Sequence, residues 1–329
     1  MWRAVARELG ASFAELAHDL WCIEKDGART VINNHQLELD NPVVLQLAAN
    51  KSVVHKLLRQ AGLQVPRHLT FDLSRLPEAY RFAEKCGVES VVKPADGYGG
   101  KGVTTHIRSE RELRQAAILA SLYSKNLLIE EQVAGECYRV LVFRGEAIHC
   151  VGRRGPRVRG DGKSTIRELI RQFDTSRIRD DGKSASLDID RDCTFTLGYQ
   201  GLRLDSVPKY GQEVLVKSIN DPRRKQVEVR TVYNEDATDL VCDSIKSDAI
   251  RAASLVGSEF AGVDVITTDP TVPLEASGGA INEVNTTPAL HHHYQSISEE
   301  YPGIALHIIS SLLVRKKPTL GLSVAGNER

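Results

Sequence analysis

The sequence predicts a mixed α/β chain in which short strands alternate with amphipathic helices along most of its 329 residues. Runs rich in β-branched residues, such as Ser90-Val91-Val92-Lys93-Pro94 and Val263-Asp264-Val265-Ile266, read as buried strands. Stripes at helical spacing, such as Val53, Val54, Leu57, Leu58 and Ala61, read as helix faces. Capping signals punctuate the two kinds: Ser109 and Glu112 frame one helix start, Thr165 and Glu168 another, and Gly62 and Gly87 follow helix ends.

The bulk composition is that of a globular protein, with 41% apolar and 26% charged residues. Lys plus Arg and Asp plus Glu both number 43, so no global field points to nucleic acid or to a membrane surface. Local basic clusters are left to serve local anions. The cysteines, Cys22, Cys86, Cys137, Cys150, Cys193 and Cys242, show no paired spacing. Reduced thiols in a cytoplasm are expected, with neither a disulfide framework nor a zinc motif. No apolar run is long enough to span a bilayer. Helical periodicity already begins at Trp2, so no leader is expected.

In order, residues 1–50 form a short α/β preface: a helix to Gly10, strands at 12–16 and 20–23, a hairpin turn at Asp26-Gly27, and a connector at 37–42. A helix starts at Asn50, with Lys51 at the end that the macrodipole makes unfavourable for a cation. Another spans 74–87. The strand 89–94 feeds Gly97-Tyr98-Gly99-Gly100-Lys101-Gly102, a loop whose glycines suit close approach of backbone N–H groups to phosphate. Lys93 and Lys101 flank it. A glycine-rich hairpin without a ligand would show the same composition. A helix from Ser109, a strand at 127–133 and a hairpin across Arg144-Gly145 follow. Arg153, Arg154, Arg157, Arg159 and Lys163 make the densest basic stretch, either a solvated edge or an anion site. Residues 174–200 read as a polar, mobile loop insert, followed by strands at 213–217 and 226–232 and a helix over 243–260. The strands at 263–266 and 281–285 carry Asp264, Glu283 and Asn285 where apolar side chains are expected. Glu283 and Asn285 share a face, and pairing of the two strands brings in Asp264, giving oxygen ligands for a hard divalent ion. A solvated polar face is the alternative. His291, His292 and His293 are too close in sequence to converge on one ion, and they read as a loop facing a substrate. A helix over 303–314 and a disordered tail over 316–329 end the chain.

Together these stretches resemble the ATP-grasp superfamily, and within it the ATP-grasp part of cyanophycin synthetase and, less closely, of the bifunctional glutathione synthetase. The resemblance rests on Val91-Val92-Lys93-Pro94 with the glycine loop, Ile129 to Glu136, Gly160-Asp161-Gly162-Lys163-Ser164-Thr165, Leu204 to Pro208, Gly262 to Ile266, and Glu283-Val284-Asn285. It covers the chain from Arg7 to about His293. It implies an α+β fold of two lobes clasping ATP. The expected division is a pre-ATP-grasp segment at 1–50, a small lobe at 51–133, a large lobe at 134–315 and a tail at 316–329. It further implies an ADP-forming ligase that joins amino acids or a short peptide through an acylphosphate, with ATP and Mg²⁺ or Mn²⁺.

Carried over position by position, Lys51 and Lys93 resemble phosphate-contacting lysines, and Gly97 to Gly102 resemble the loop over the phosphates. Glu130, Glu131 and the Val133 backbone resemble adenine contacts, and Glu136 a ribose contact. Asp264, Glu283 and Asn285 resemble the metal ligands. The arginine that D-alanine ligase relatives carry two residues before the first metal ligand is Gly262 here, so Arg139, Arg153 or Arg154 must supply that charge. The chain reads Asn220-Asp221-Pro222-Arg223-Arg224-Lys225 where cyanophycin synthetase has small residues, which points to a different acceptor amine. A non-catalytic nucleotide-binding carrier and a kinase are the competing functions. The resemblance leaves a homo-oligomer open.

Overall fold

The computed structural model describes residues 1–96, 100–172, 187, 189–217, 234–293 and 303–314. The expected strand at 226–232, loop residues Gly97, Tyr98 and Gly99, the tail 316–329 and much of the 174–200 insert lie outside them. The chain forms two compact units.

One unit contains Met1–Glu38 and the C-terminal helix Gly303–Val314. Helix α1 (Trp2–Glu8) precedes an antiparallel meander of β1 (Ser12–Ala17), β2 (Leu20–Lys25), β3 (Ala28–Asn33) and β4 (Gln36–Leu37). Asp26 and Gly27 both take positive φ, 50° and 78°, as the β2–β3 turn requires. The C-terminal helix packs on β3 and α1 through an apolar face that includes Ile308, Ile309 and Leu312.

The other unit, Leu39–Ser298, holds the remaining sheets. Where the sequence reads as a connector to Pro42, helix α2 (Pro42–Ala49) begins at once, because the Asn41 side chain accepts from the Val43 and Val44 N–H groups and Pro42 needs no partner at the first turn. Asn50 caps α3 (Lys51–Gln60) in the same way. Strand β5 (His68–Phe71), helix α4 (Leu76–Cys86), β6 (Ser90–Pro94), β7 (Thr104–Ile107), α5 (Glu110–Ser121) and β8 (Leu127–Glu131) follow. Their antiparallel sheet has the order β5-β8-β6-β7, with α4 and α5 closing a core around Phe71, Val92, Leu113 and Ile129. Gly102, at the end of the glycine loop, is packed against α5: a Cβ there would stand 2.7 Å from Tyr123 Cδ2.

Next come β9 (Glu136–Phe143) and β10 (Glu146–Arg153), joined across Arg144 and Gly145, both at positive φ. They are followed by β11 (Arg157–Arg159), α6 (Ile166–Gln172), α7 (Arg191–Tyr199), β12 (Glu213–Leu215) and β13 (Asn234–Asp236). The part of the insert expected as irregular is helical at α7: Asp190 caps it by accepting from the Cys193 N–H, and Cys193 and Leu197 bury against β11, β12 and α6. Helix α8 (Asp243–Val256), β14 (Phe260–Thr267), α9 (Leu274–Ser277) and β15 (Ala280–Thr286) complete the large antiparallel sheet, in the order β13-β10-β9-β14-β15. One face of it is apolar. Val140, Val142, Val263, Val265 and Ile281 bury beneath α8, which contributes Ile245, Ala249, Ala252 and Val256. Among the described residues no helix is long and apolar enough to cross a membrane.

Gly135 turns the chain into β9 with φ +114°, and a Cβ there would lie 2.1 Å from the Thr267 carbonyl carbon and oxygen. Both the backbone angle and the space exclude a side chain, so Gly135→Ala is expected to lower the unfolding free energy by about 3 kcal/mol. Urea unfolding measures it.

Candidate active site

Alternation along each strand gives the large sheet a second, chemically opposite face. Antiparallel register sets Asp264 of β14 opposite Arg139 of β9 and Glu283 of β15, while Arg139 pairs with Val151 of β10 and Val151 with Asp236 of β13. Two residues along, the same face carries Asn285, Gly262, Leu141 and His149; in the other direction it carries Cys137 and Arg153. Charge is buried here: Arg139, Arg153 and Asp264 are 7%, 5% and 4% exposed.

Arg139 chelates Asp264, Nε donating to Oδ1 at 2.6 Å and Nη2 to Oδ2 at 2.7 Å. Arg153 Nη1 reaches Oδ2 at 3.4 Å, and Asn285 Nδ2 lies at the same distance from it. Gly262 makes the room: a Cβ there would stand 3.1 Å from Arg139 Cδ and 3.2 Å from Pro288 Cβ. Arg139 thus fills the space beside Gly262 from the neighbouring strand. Of the arginines expected at the site, Arg139 and Arg153 converge on Asp264, whereas Arg154 pairs with the exposed Glu235 at 3.3 Å.

Glu283 is answered from α3, where Lys51 Nζ lies 2.9 Å from its Oε1. That explains a lysine at a helix N-terminus. Burial would push the Glu283 carboxyl up, but Lys51, with Lys93 behind it, brings it below the usual carboxylate range against the opposing charge of Asp264. On the small sheet, Lys93 of β6 donates to Glu130 of β8 at 2.6 Å, both buried. Burial raises the Glu130 carboxyl, and Lys93 only partly offsets it. Glu130 Oε2 is buried without a hydrogen-bond partner among the described residues. Glu131 instead turns to the Arg67 backbone N–H and guanidinium, and Glu136 pairs with Arg157. Lys101 and the Val133 backbone stand at the ends of β7 and β8, and Gly100 and Gly102 both take φ +71°.

After β15 the chain folds back over the polar face. Thr287 takes φ +47°, Pro288 lies over Gly262, and a 3₁₀ turn, Leu290–His293, reaches β10 and β13. His293 is 4% exposed and stands against His149, their Nδ1 atoms 3.1 Å apart. Sequence reasoning missed Asp236 and Asn234, because β13 is too short to show periodicity, and it missed His149 on β10, whose partner His293 is far away in the chain. It also missed His55, which α3 presents one turn after Lys51 and whose Nε2 lies 2.9 Å from the Asn282 carbonyl oxygen, beside Glu283. The spacing to Lys51 was the available signal.

Among the described residues no cluster of three His, Cys, Asp or Glu side chains could hold a metal ion. The set that does fit one includes an amide. Asp264, Glu283 and Asn285 offer two carboxylates and an amide oxygen on one sheet face, the donor chemistry of a hard divalent ion. A separate cavity of about 710 Å³, lined by Arg167, Thr194, Leu197 and Arg203 among others, includes none of these residues.

No family model matches the chain. It is 31% identical over 281 residues to cyanophycin synthetase of Geminocystis herdmanii (strain PCC 6308), a match covering 84% of this chain and 31% of that protein. To the bifunctional glutathione biosynthesis protein of Enterococcus faecalis (strain ATCC 700802 / V583) it is 31% identical over 276 residues, 80% of this chain and 35% of the relative. The chain therefore spans about a third of the length of the curated relatives it matches. Its fold is that of the bifunctional glutathione synthetase from Pasteurella multocida, with a TM-score of 0.61 at 22% identity over 94% of this chain and 42% of that one.

Burial holds His55 down to about 3, helped by the charge of Lys93. Above pH 6.5 it is neutral folded and unfolded. Between 6.5 and about 3 only the unfolded chain takes the proton, so this group removes stability as pH falls. In His55→Leu the loss of unfolding free energy between pH 7 and pH 5 is expected to be smaller by about 2 kcal/mol. Urea titrations at both pH values test this.

Proposed function

Because the chain belongs to the ATP-grasp superfamily, we propose that it is an ATP-dependent carboxylate–amine ligase that joins amino acids or a short peptide and releases ADP and phosphate. The observation that carries this reading is the convergence of Asp264, Glu283 and Asn285 on one sheet face with Arg139, Arg153 and Lys51 around them. Such a face suits chemistry that is mainly positioning and charge neutralisation. The division into a preface (1–50), a small lobe (51–133) and a large lobe (134–315) belongs to the same proposal.

Lys51 and Lys93 bind the phosphates, each leaving its carboxylate partner to do so. The glycine loop from Gly97 to Gly102 covers them with backbone N–H groups. Glu130 and Glu131, with the Val133 backbone, hold the adenine, and Glu136 the ribose. Asp264, Glu283 and Asn285 would hold Mg²⁺ or Mn²⁺, which when bound neutralises phosphate charge. With Asp264 engaged in that way its Arg139 chelate would open, and the planar fork of Arg139 would match the oxygens of a neighbouring phosphate or carboxylate. One substrate carboxylate attacks the γ-phosphorus and ADP leaves. The amine of the second substrate then displaces phosphate from the acyl carbon.

The test is ADP release measured against pairs of amino acids, with mass detection of the amide. Glu283→Ala and Lys93→Ala are each expected to lower ADP release by on the order of 100-fold or more while circular dichroism reports an unchanged fold. Chelation of divalent ions should stop turnover in the unaltered chain. A phosphorylated product without amide, or full turnover in either variant, would remove the ligase reading.

A further inference from the structure

The paired histidines His149 and His293 have no part in the ligase scheme above, and their geometry dictates a protonation pattern. Asp236 is fixed by the Thr238 N–H, which donates to its Oδ1 at 2.8 Å. Its Oδ2 faces His149 Nε2 at 3.7 Å. A carboxylate at that nitrogen favours the tautomer with the proton on Nε2, which leaves His149 Nδ1 an acceptor. Across the 3.1 Å gap the His293 Nδ1 must then be the donor. A neutral His293 is left with a bare Nε2, and that atom is buried with no hydrogen-bond partner among the described residues. An orphaned acceptor on a side chain 4% exposed is costly unless something comes to it. What it awaits is an N–H donor, and the register marks the place: its partner His149 lies two residues from Val151, which pairs with Arg139 opposite Asp264.

Resting on the ligase reading, we propose that His293 Nε2 accepts the proton of the incoming amine, and that Asp236 and His149 are positioning residues that hold it in the accepting tautomer. An amino acid brings an ammonium at neutral pH, which has no lone pair with which to attack. One N–H proton passes to His293 Nε2. The freed lone pair forms the C–N bond, and the acyl C–O bond breaks with its electrons on phosphate. The second proton lost from nitrogen goes to the departing phosphate, and His293 returns its own proton to solvent. Burial, then His149 and the two arginines, keeps His293 well below the usual imidazole range in the resting protein, so it waits unprotonated. An anion bound at Arg139 and Arg153 cancels their field and makes His293 more basic when the acylphosphate is present.

The full chain is incubated with ATP, magnesium, a mixture of the twenty amino acids and hydroxylamine, which is uncharged at neutral pH and attacks without a proton acceptor. Amide and hydroxamate then compete for one acylphosphate, so their ratio is blind to the phosphorylation step. In His293→Gln the ratio of amide to hydroxamate is expected to fall about 100-fold at pH 7 and to recover as pH rises through the amine's own titration. Asp236→Asn should lower the ratio about 10-fold. An unchanged ratio in His293→Gln, or a fall that does not recover with pH, overturns the proposal. Nitrogen-15 NMR of the resting chain gives a readout independent of turnover, with the His293 Nε2 signal expected in the unprotonated range. A protonated Nε2 overturns the tautomer line even if ligation occurs. Absence of ADP release and of both products from the unaltered chain would sink the ligase reading and the amine role together, while the NMR result still decides the tautomer line by itself.

Discussion

The ion pair between Arg139 and Asp264 is the constraint around which the large sheet is arranged. Both groups are buried, and removing two charges from water costs several kcal/mol per ion before their attraction offsets it. The bidentate geometry recovers much of that. An apolar pair of similar volume would serve stability as well or better. Stability is therefore a poor reason for keeping the charges, and the rest of the sheet reads as provision for them. Gly262 lacks a side chain so that the guanidinium can lie across it. Pro288 lies over Gly262 and the 3₁₀ turn over β10 and β13, while Val140, Val263 and α8 make the opposite face dry and rigid.

The same logic runs outward from that centre. Lys51 is paired with Glu283 and Lys93 with Glu130, so each of these lysines already holds an internal carboxylate. Under the proposed ligase reading, an anion entering the site exchanges partners. Part of the desolvation cost has been met by folding, which keeps the groups oriented before any ligand arrives. Lys51 sits where the helix dipole disfavours it, and Glu283 across the gap is what holds it there. His55, one turn on, ties the same helix to the backbone beside Glu283.

Much of this was legible in the sequence because alternation in a strand is a strict rule. Glu283 and Asn285 had to share a face, and if their strand paired with that of Asp264 the three could meet, which the register of β14 and β15 provides. Capping boxes and the Arg144-Gly145 turn were equally local and equally visible. The helix at Pro42–Ala49 was hidden because its Asn41 cap directly follows an acidic connector, and α7 because its composition is polar while its burial depends on β11 and β12. Partner choice was the least legible property. Arg153 and Arg154 are neighbours in sequence, yet one reaches the buried Asp264 and the other an exposed glutamate, a difference set by the end of β10 and by what stands beside it.

Gly262 stands two residues before Asp264 on β14. An arginine there would rise from β14 on the same face as Asp264. Here β14 offers only a hydrogen at that position, and the neighbouring β9 sends Arg139 across it. Adjacent strands lie about 4.8 Å apart, well within the reach of an arginine side chain. The guanidinium can therefore occupy similar space from either strand, but its attachment differs. Rooted on β9 directly opposite Asp264, Arg139 can chelate the carboxylate with both nitrogens. That contact couples the two groups, so what happens to Asp264 decides where Arg139 is free to point.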